Sequence, residues 1–358
     1  MLKLVQASVA SLILSSGAFA EQSDDVAAEK AFWAGYLAEN VPNTAVGYVF
    51  VVIRDGEVAF TVEHGLARKP NDEYPDGVPM TADTLIQTSS ITKPMTAAAV
   101  LQLLERRGMS SEDPIGPILD NVTEEISDSV GALTVQQVLS HTTGLPRATV
   151  GGPVRENIRQ FSSLDLPPKD DRQIVRSNVN YALAALMIEA LSGESYETYM
   201  KANIFAPIGI TDTELFLDEN RFMSSYFAAS GKPAEGEIFS FDMTRIAGPF
   251  GWYMTTTQMG EFAYAVGRRE YFSEETYVAM SHGQQGWFYN DIDPAGVILA
   301  APGFLQPRPG GTGAHTGVAI WPDGSASAIT INTMTGPLRP DLLVVRGIVD
   351  YARENETR

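Results

Sequence analysis

Apolar residues recur at helical spacing over residues 24–40, where Val26, Ala27, Phe32, Trp33, Tyr36 and Leu37 share one face, and this predicts an amphipathic helix. The pattern then shortens. Tyr48-Val49-Phe50-Val51-Val52-Ile53 and Val58-Ala59-Phe60-Thr61-Val62 flank an Asp55-Gly56 turn, which predicts a β-hairpin. The other end mirrors this. Val318-Ala319-Ile320-Trp321 leads through Pro322-Asp323-Gly324 into a β-rich run over 326–333. A last helix is expected over about 340–353, with Leu342, Leu343, Val345 and Ile348 on its apolar side. The economical arrangement is one antiparallel sheet built from both termini, with both helices packed on it. The middle is mostly helical, with runs at 94–107, 133–141 and 179–202. The expectation is an α+β fold: residues 21–93 and 251–358 form a sheet domain, and 94–250 form an inserted, mostly helical region. No internal repeat interrupts this order. The polar, Pro- and Gly-rich stretch 146–172 reads as loops.

The junction between the first half of that sheet and the helical region carries the candidate chemistry. Thr84-Leu85-Ile86-Gln87-Thr88 is β-like, and the run from Thr92 to Arg107 is helix-like, with Ser90-Ile91-Thr92-Lys93 between them. Residues three apart on a helix lie on one face. The Lys93 amine can therefore reach the Ser90 hydroxyl, and a desolvated lysine can serve as the base that a serine nucleophile needs. The N-terminus of the following helix places backbone N–H groups where an oxyanion on the attacked carbonyl would form.

Composition narrows the alternatives. The 358 residues carry 44 acidic and 25 basic side chains, a net charge of −19, which argues against nucleic acid or an anionic membrane as partner. The absence of cysteine excludes disulfides, thiolate metal sites and a Cys nucleophile. His64, His141, His282 and His315 are far apart and make no metal-ligand spacing, so neither metal nor cofactor is implied. Residues 1–20 read as a secretory leader. Lys3 opens it, Leu12-Ile13-Leu14 lie in its apolar stretch, and Ala18-Phe19-Ala20 offers a cleavage site. The mature chain is expected to be secreted or periplasmic, without a stable membrane anchor. Nothing in the sequence specifies an oligomeric state.

Leu139-Ser140-His141-Thr142-Thr143-Gly144-Leu145-Pro146 resembles the signature of the class C β-lactamase and penicillin-binding-protein-like serine hydrolases. Asp83–Lys93 is similar to that family's nucleophile segment. Ser177-Asn178 lies in its second motif region, and Ile204–Thr213 resembles its Pro-Leu-Gly-Met segment. Gly251-Trp252-Tyr253-Met254 resembles its Gly-rich segment, and His315-Thr316-Gly317 its third motif, Lys-Thr-Gly in many β-lactamases. The resemblance covers about residues 30–350. It implies a β-lactamase/transpeptidase-like fold, Ser90 as nucleophile, Lys93 as its activator and Asn178 as an orienting amide. It also implies that His315 binds substrate or shuttles protons, beside Thr316 and Gly317 on a strand edge facing the nucleophile. The backbone N–H groups of Ser90 and Val318 would then form the oxyanion hole.

One position departs from the family. Arg176 stands where the second motif has Tyr, and arginine cannot act as a general base. Its planar fork can bind a substrate carboxylate, and its charge favours a neutral Lys93. The expected activity is hydrolysis of a small ester, amide or peptide through an acyl-enzyme, esterase- or D-peptidase-like, with weak or no β-lactam turnover. Two other readings share these residues: a binding protein whose site no longer turns over, and a transacylase. His141 reads as holding its own turn, and Tyr181 and Tyr253 as core.

Overall fold

The computed structural model describes residues 25–356 apart from 121, 123–125, 148–163, 169–171, 173, 216–222, 225, 230–231, 234–235, 238–241, 245–246, 307–311 and 337. The expected leader and much of the 146–172 stretch lie outside the described residues.

Both predicted hairpins form. Strand β1 (Gly47–Arg54) turns into β2 (Glu57–Arg68) through Asp55 and Gly56, both with positive φ, the backbone that an Asp-Gly hairpin turn requires. In the mirror hairpin, Gly324 (φ 85°) lies between β10 (Ala314–Ile320) and β11 (Ala326–Ile331). The two hairpins join where β1 pairs antiparallel with β11, with Tyr48 opposite Ile331 and Ile53 opposite Ala326. Two further strands, β8 (Phe288–Ile292) and β9 (Gly296–Leu305), extend the sheet beyond β10, and β3 (Val78–Pro79) caps its other side. The order is β3-β2-β1-β11-β10-β9-β8.

Alternation along the strands sends successive side chains to opposite faces. Tyr48, Phe50 and Val52 meet Trp33 and Leu37 of helix α1 (25–40), together with residues of the C-terminal helix. Trp33 stacks on Phe50 with ring centroids 4.4 Å apart. The C-terminal helix can approach because position 347 is glycine, where a Cβ would come within 2.4 Å of the Trp33 ring. Val49, Val51 and Ile53 point the other way into the larger core, shared with the helical middle of the chain.

In that middle, helix α2 (Thr92–Arg107) ends where Gly108, at φ 66°, turns its N–H back onto Leu104 and Glu105. Helix α3 (Val135–Leu139) opens on a reciprocal cap between Thr134 and Gln137. Helix α4 (Asn178–Ser192) opens on Ser177, whose hydroxyl accepts from the Val179 N–H. The single run expected over 179–202 is broken: Gly193 adopts φ 77° and ends α4, and a new helix starts at Tyr196. The middle region is also not purely helical. Strands β5 (Tyr226–Ala229) and β6 (Lys232–Pro233) join a small sheet completed by β12 (Thr333–Met334). Strand β4 (Ile86–Gln87) pairs with β7 (Tyr253–Met254), which feeds helix α5 (Thr256–Gly267). Helix α6 (Pro340–Glu356) completes the face shared with α1.

Candidate active site

Ser90 sits in a 3-10 turn, Ser89–Ile91, that runs straight into α2. Ser89 before it has φ 53°, a left-handed conformation rare for a residue with a side chain. Two hydrogen bonds hold it there: its N–H donates to the Gln87 side chain and its hydroxyl to the Phe304 carbonyl. One turn on, Lys93 Nζ donates to Ser90 Oγ at 2.9 Å and to the Pro249 carbonyl at 2.9 Å. Burial, and then the Arg176 charge, pull the Lys93 pKa down to about 7. A lysine so placed is largely neutral just above neutrality and has a lone pair to offer.

Ser90, Lys93, Arg176 and Asn178 line one cavity of about 330 Å³. Asn178 is there because it opens α4 directly after its cap. The Arg176 guanidinium lies over the Phe288 ring, 3.9 Å from its centroid. Arg339 approaches the same ring at 5.7 Å but is committed to the buried Asp341 carboxylate at 2.6 and 2.9 Å. Arg176 has no ion-pair partner among the described residues. Its charge therefore faces the cavity.

The third-motif residues are elsewhere. His315, Thr316, Gly317 and Val318 lie on β10, flanked by β9 on one side and β11 on the other. Their backbone groups face these two ladders, so Val318 has no N–H free for an oxyanion, and its side chain is fully buried. His315 is also fully buried, edge-on to Phe304, with Nε2 accepting from the Thr335 N–H at 3.4 Å. Burial pushes its pKa down to about 4, so it is a neutral core residue and does not line the cavity. Gly317 packs beneath Pro340 and Asp341 of α6. Thr316 faces the other way and donates to the Thr88 carbonyl at 3.0 Å, bracing the Ser89–Ile91 turn from behind.

The strand edge facing Ser90 is β9, through Ala301-Pro302-Gly303-Phe304. β8 covers β9 only as far as Ala300. Beyond that, Ala301, Pro302 and Phe304 line the cavity. Gly303 lets the strand close on the Ser89–Ile91 turn, since a Cβ there would lie 2.0 Å from Thr316 Oγ1 and 2.8 Å from the Thr88 carbonyl oxygen. The N–H and C=O of one residue in an antiparallel strand point to the same side. Because the Phe304 carbonyl accepts from Ser89, the Phe304 N–H is also turned toward the Ser89–Ile91 turn. A sequence signal for this strand existed: proline within a β-run marks an edge, and Pro302 is that proline.

Other side chains sort cleanly. Tyr181 is buried and its hydroxyl donates to the Leu139 carbonyl at 2.9 Å; burial raises its pKa, which removes it as a base. Trp252 is core, against Phe205 and Tyr196. Trp287 is buried but borders the cavity, with its indole N–H unpaired among the described residues. His141 also lines the cavity and is bonded to the Asn180 side chain, not held by backbone alone. Among the described residues there is no group of His, Asp and Glu that could hold a metal, and no helix long and apolar enough to cross a membrane.

The chain is 28% identical over 207 residues to an unguisins hydrolase of Aspergillus campestris, covering 53% of this chain and 36% of that protein. It is 28% identical over 208 residues to esterase EstB of Burkholderia gladioli, covering 52% of each. The matched segments thus span about half or less of these relatives' own length. The D-amino acid amidase of Ochrobactrum anthropi has the same fold, with a TM-score of 0.73 at 19% identity over 91% of this chain and 99% of that one. The sequence profile described as "Beta-lactamase" matches residues 34–344, and the chain belongs to that family.

Proposed function

We propose that this protein is an exported serine hydrolase that cleaves a small ester or amide through an acyl-enzyme on Ser90. The observation that carries the reading is the 2.9 Å contact between Ser90 Oγ and a Lys93 amine whose pKa is held near 7. Lys93 takes the hydroxyl proton as Oγ bonds to the substrate carbonyl. The N–H groups of Ser90 and Phe304 receive the oxyanion, with Phe304 in the place expected of Val318. The tetrahedral intermediate collapses, and Lys93 returns the proton to the departing oxygen or nitrogen. Water then repeats the sequence: Lys93 accepts its proton, hydroxide attacks the acyl carbon, and Ser90 Oγ leaves and is reprotonated.

Arg176 takes two roles in this scheme. Its charge keeps Lys93 neutral, and its fork receives a carboxylate on the substrate. Asn178 orients the bound amide or ester. β9 presents Ala301 and Pro302 where a β-lactamase presents a cation, which favours ester and amide substrates over β-lactams. The names of the relatives, a hydrolase, an esterase and a D-amino acid amidase, agree with this class. The apolar leader at 1–20 supports export.

The test is intact-protein mass after exposure to a fluorophosphonate. A mass gain in the wild type that is absent in Ser90→Ala is the expected result. No gain in the wild type would leave a binding protein on this fold as the better reading.

A further inference from the structure

His141 ends the turn after α3 with φ 62°, and Val175 N–H donates to its carbonyl at 3.1 Å, so the ring enters the cavity wall on a backbone held from both sides. A chain of hydrogen bonds stands behind it. The Leu145 N–H donates to Thr143 Oγ1 at 3.1 Å. The Thr143 hydroxyl donates to Asn180 Oδ1 at 2.9 Å. Asn180 Nδ2 lies 2.9 Å from His141 Nδ1. Thr143 and Asn180 are fully buried. Turning the amide over would leave the Thr143 hydroxyl proton with no acceptor among the described residues, an expensive vacancy in a buried site. The amide nitrogen therefore faces the ring, Nδ1 accepts, and the neutral imidazole carries its proton on Nε2.

We propose that His141 is a fixed neutral hydrogen-bond donor of this site: Nε2–H donates to an oxygen acceptor of the acyl substrate while Lys93 carries the mobile proton. No bond to His141 is made or broken during turnover, and its proton stays where it is. This role rests on the serine-hydrolase reading above; the tautomer does not. Burial and the charges of Lys93 and Arg176, which face the ring, push its pKa down to about 3. Tyr181 packs on the ring at 5.3 Å and is held un-ionised by its own burial. A ring that stays neutral does not compete with Lys93 for the Ser90 proton, and a neutral imidazole can still polarise an acyl oxygen.

The ring-nitrogen NMR spectrum of the full chain reads this directly, with only four histidines to assign by single substitutions. The expected spectrum shows His141 with a protonated Nε2 and an unprotonated Nδ1, unchanged between roughly pH 5 and 9. A protonated Nδ1, or titration in that range, overturns the proposal. Asn180→Asp then inverts the ring, because a carboxylate draws the proton to Nδ1 and leaves Nε2 as an acceptor. Ester turnover should fall about 10- to 100-fold in that variant, together with the change of tautomer. His141→Asn, which tolerates the left-handed backbone and keeps an N–H donor, should exceed His141→Leu by about tenfold at matched folded content. Wild-type turnover in both Asn180→Asp and His141→Leu overturns the proposal. A wild type that takes up no phosphonate overturns the hydrolase reading and this role with it, whatever the tautomer.

Discussion

Strands β9 and β10 lie side by side and carry opposite kinds of information. β10 holds His315-Thr316-Gly317, the residue types of a third motif, yet it is enclosed between two ladders and its histidine is fully buried. β9 holds Ala301-Pro302-Gly303-Phe304, with no titratable group, yet it has the open edge beside Ser90. Residue type alone therefore picks the wrong strand. An oxyanion needs a backbone N–H that no neighbouring strand has taken, and only a strand's place in the sheet decides that.

The contrast can be broken by experiment. The largest effect is expected for Phe304→Pro, which deletes one N–H at an edge that spends none on a ladder. Turnover of a chromogenic ester should drop about 10²- to 10³-fold while the thermal midpoint moves little. A variant with near wild-type turnover would return the oxyanion role to another donor. Next is Arg176→Gln. Lys93 must be neutral to accept the Ser90 proton, so activity rises as pH rises through about 7. Removing the neighbouring cation raises the Lys93 pKa, and the rising limb should move upward by up to about one pH unit, the exposed position of Arg176 limiting the shift. An unmoved limb would mean that burial alone tunes Lys93. The smallest effect on catalysis is expected for His315→Met. Turnover per folded molecule should stay within about twofold, and the change should show as a loss of about 1–3 kcal/mol in denaturant unfolding. A catalytic loss of 10²-fold would put His315 back in the site.

What was legible in the sequence follows the range of the interactions. Ser90 and Lys93 could be paired because their contact is one helical turn, a local fact. Arg176 was recognisable as a departure because Ser177-Asn178 beside it match the second motif, and Arg176 does line the cavity. The two hairpins and their joining in one sheet were legible because Asp-Gly turns and two β-rich runs fix each locally. The β8–β9 hairpin was not. β8 is only partly apolar, and although Pro302 marks β9 as an edge, the role of β9 depends on its lying outside β10, which no local pattern encodes. His141 was read as a turn residue because the signal for its side chain, Asn180, is 39 residues away.

The ladder between β1 and β11 has a consequence for how the molecule comes into being. Tyr48 meets Ile331, so the central pair of the sheet joins the two ends of the chain. Contacts of such long sequence separation cost loop-closure entropy before they return any energy, and they slow folding. Ser90 and Lys93 are synthesised early. The strand that completes their cavity, and the partner that holds β1 in the sheet, arrive only with the last quarter of the chain. Until then Lys93 lacks the full burial that lowers its pKa and Ser90 lacks the Phe304 N–H beside it, so under the proposed mechanism chemical competence is among the last properties this chain acquires.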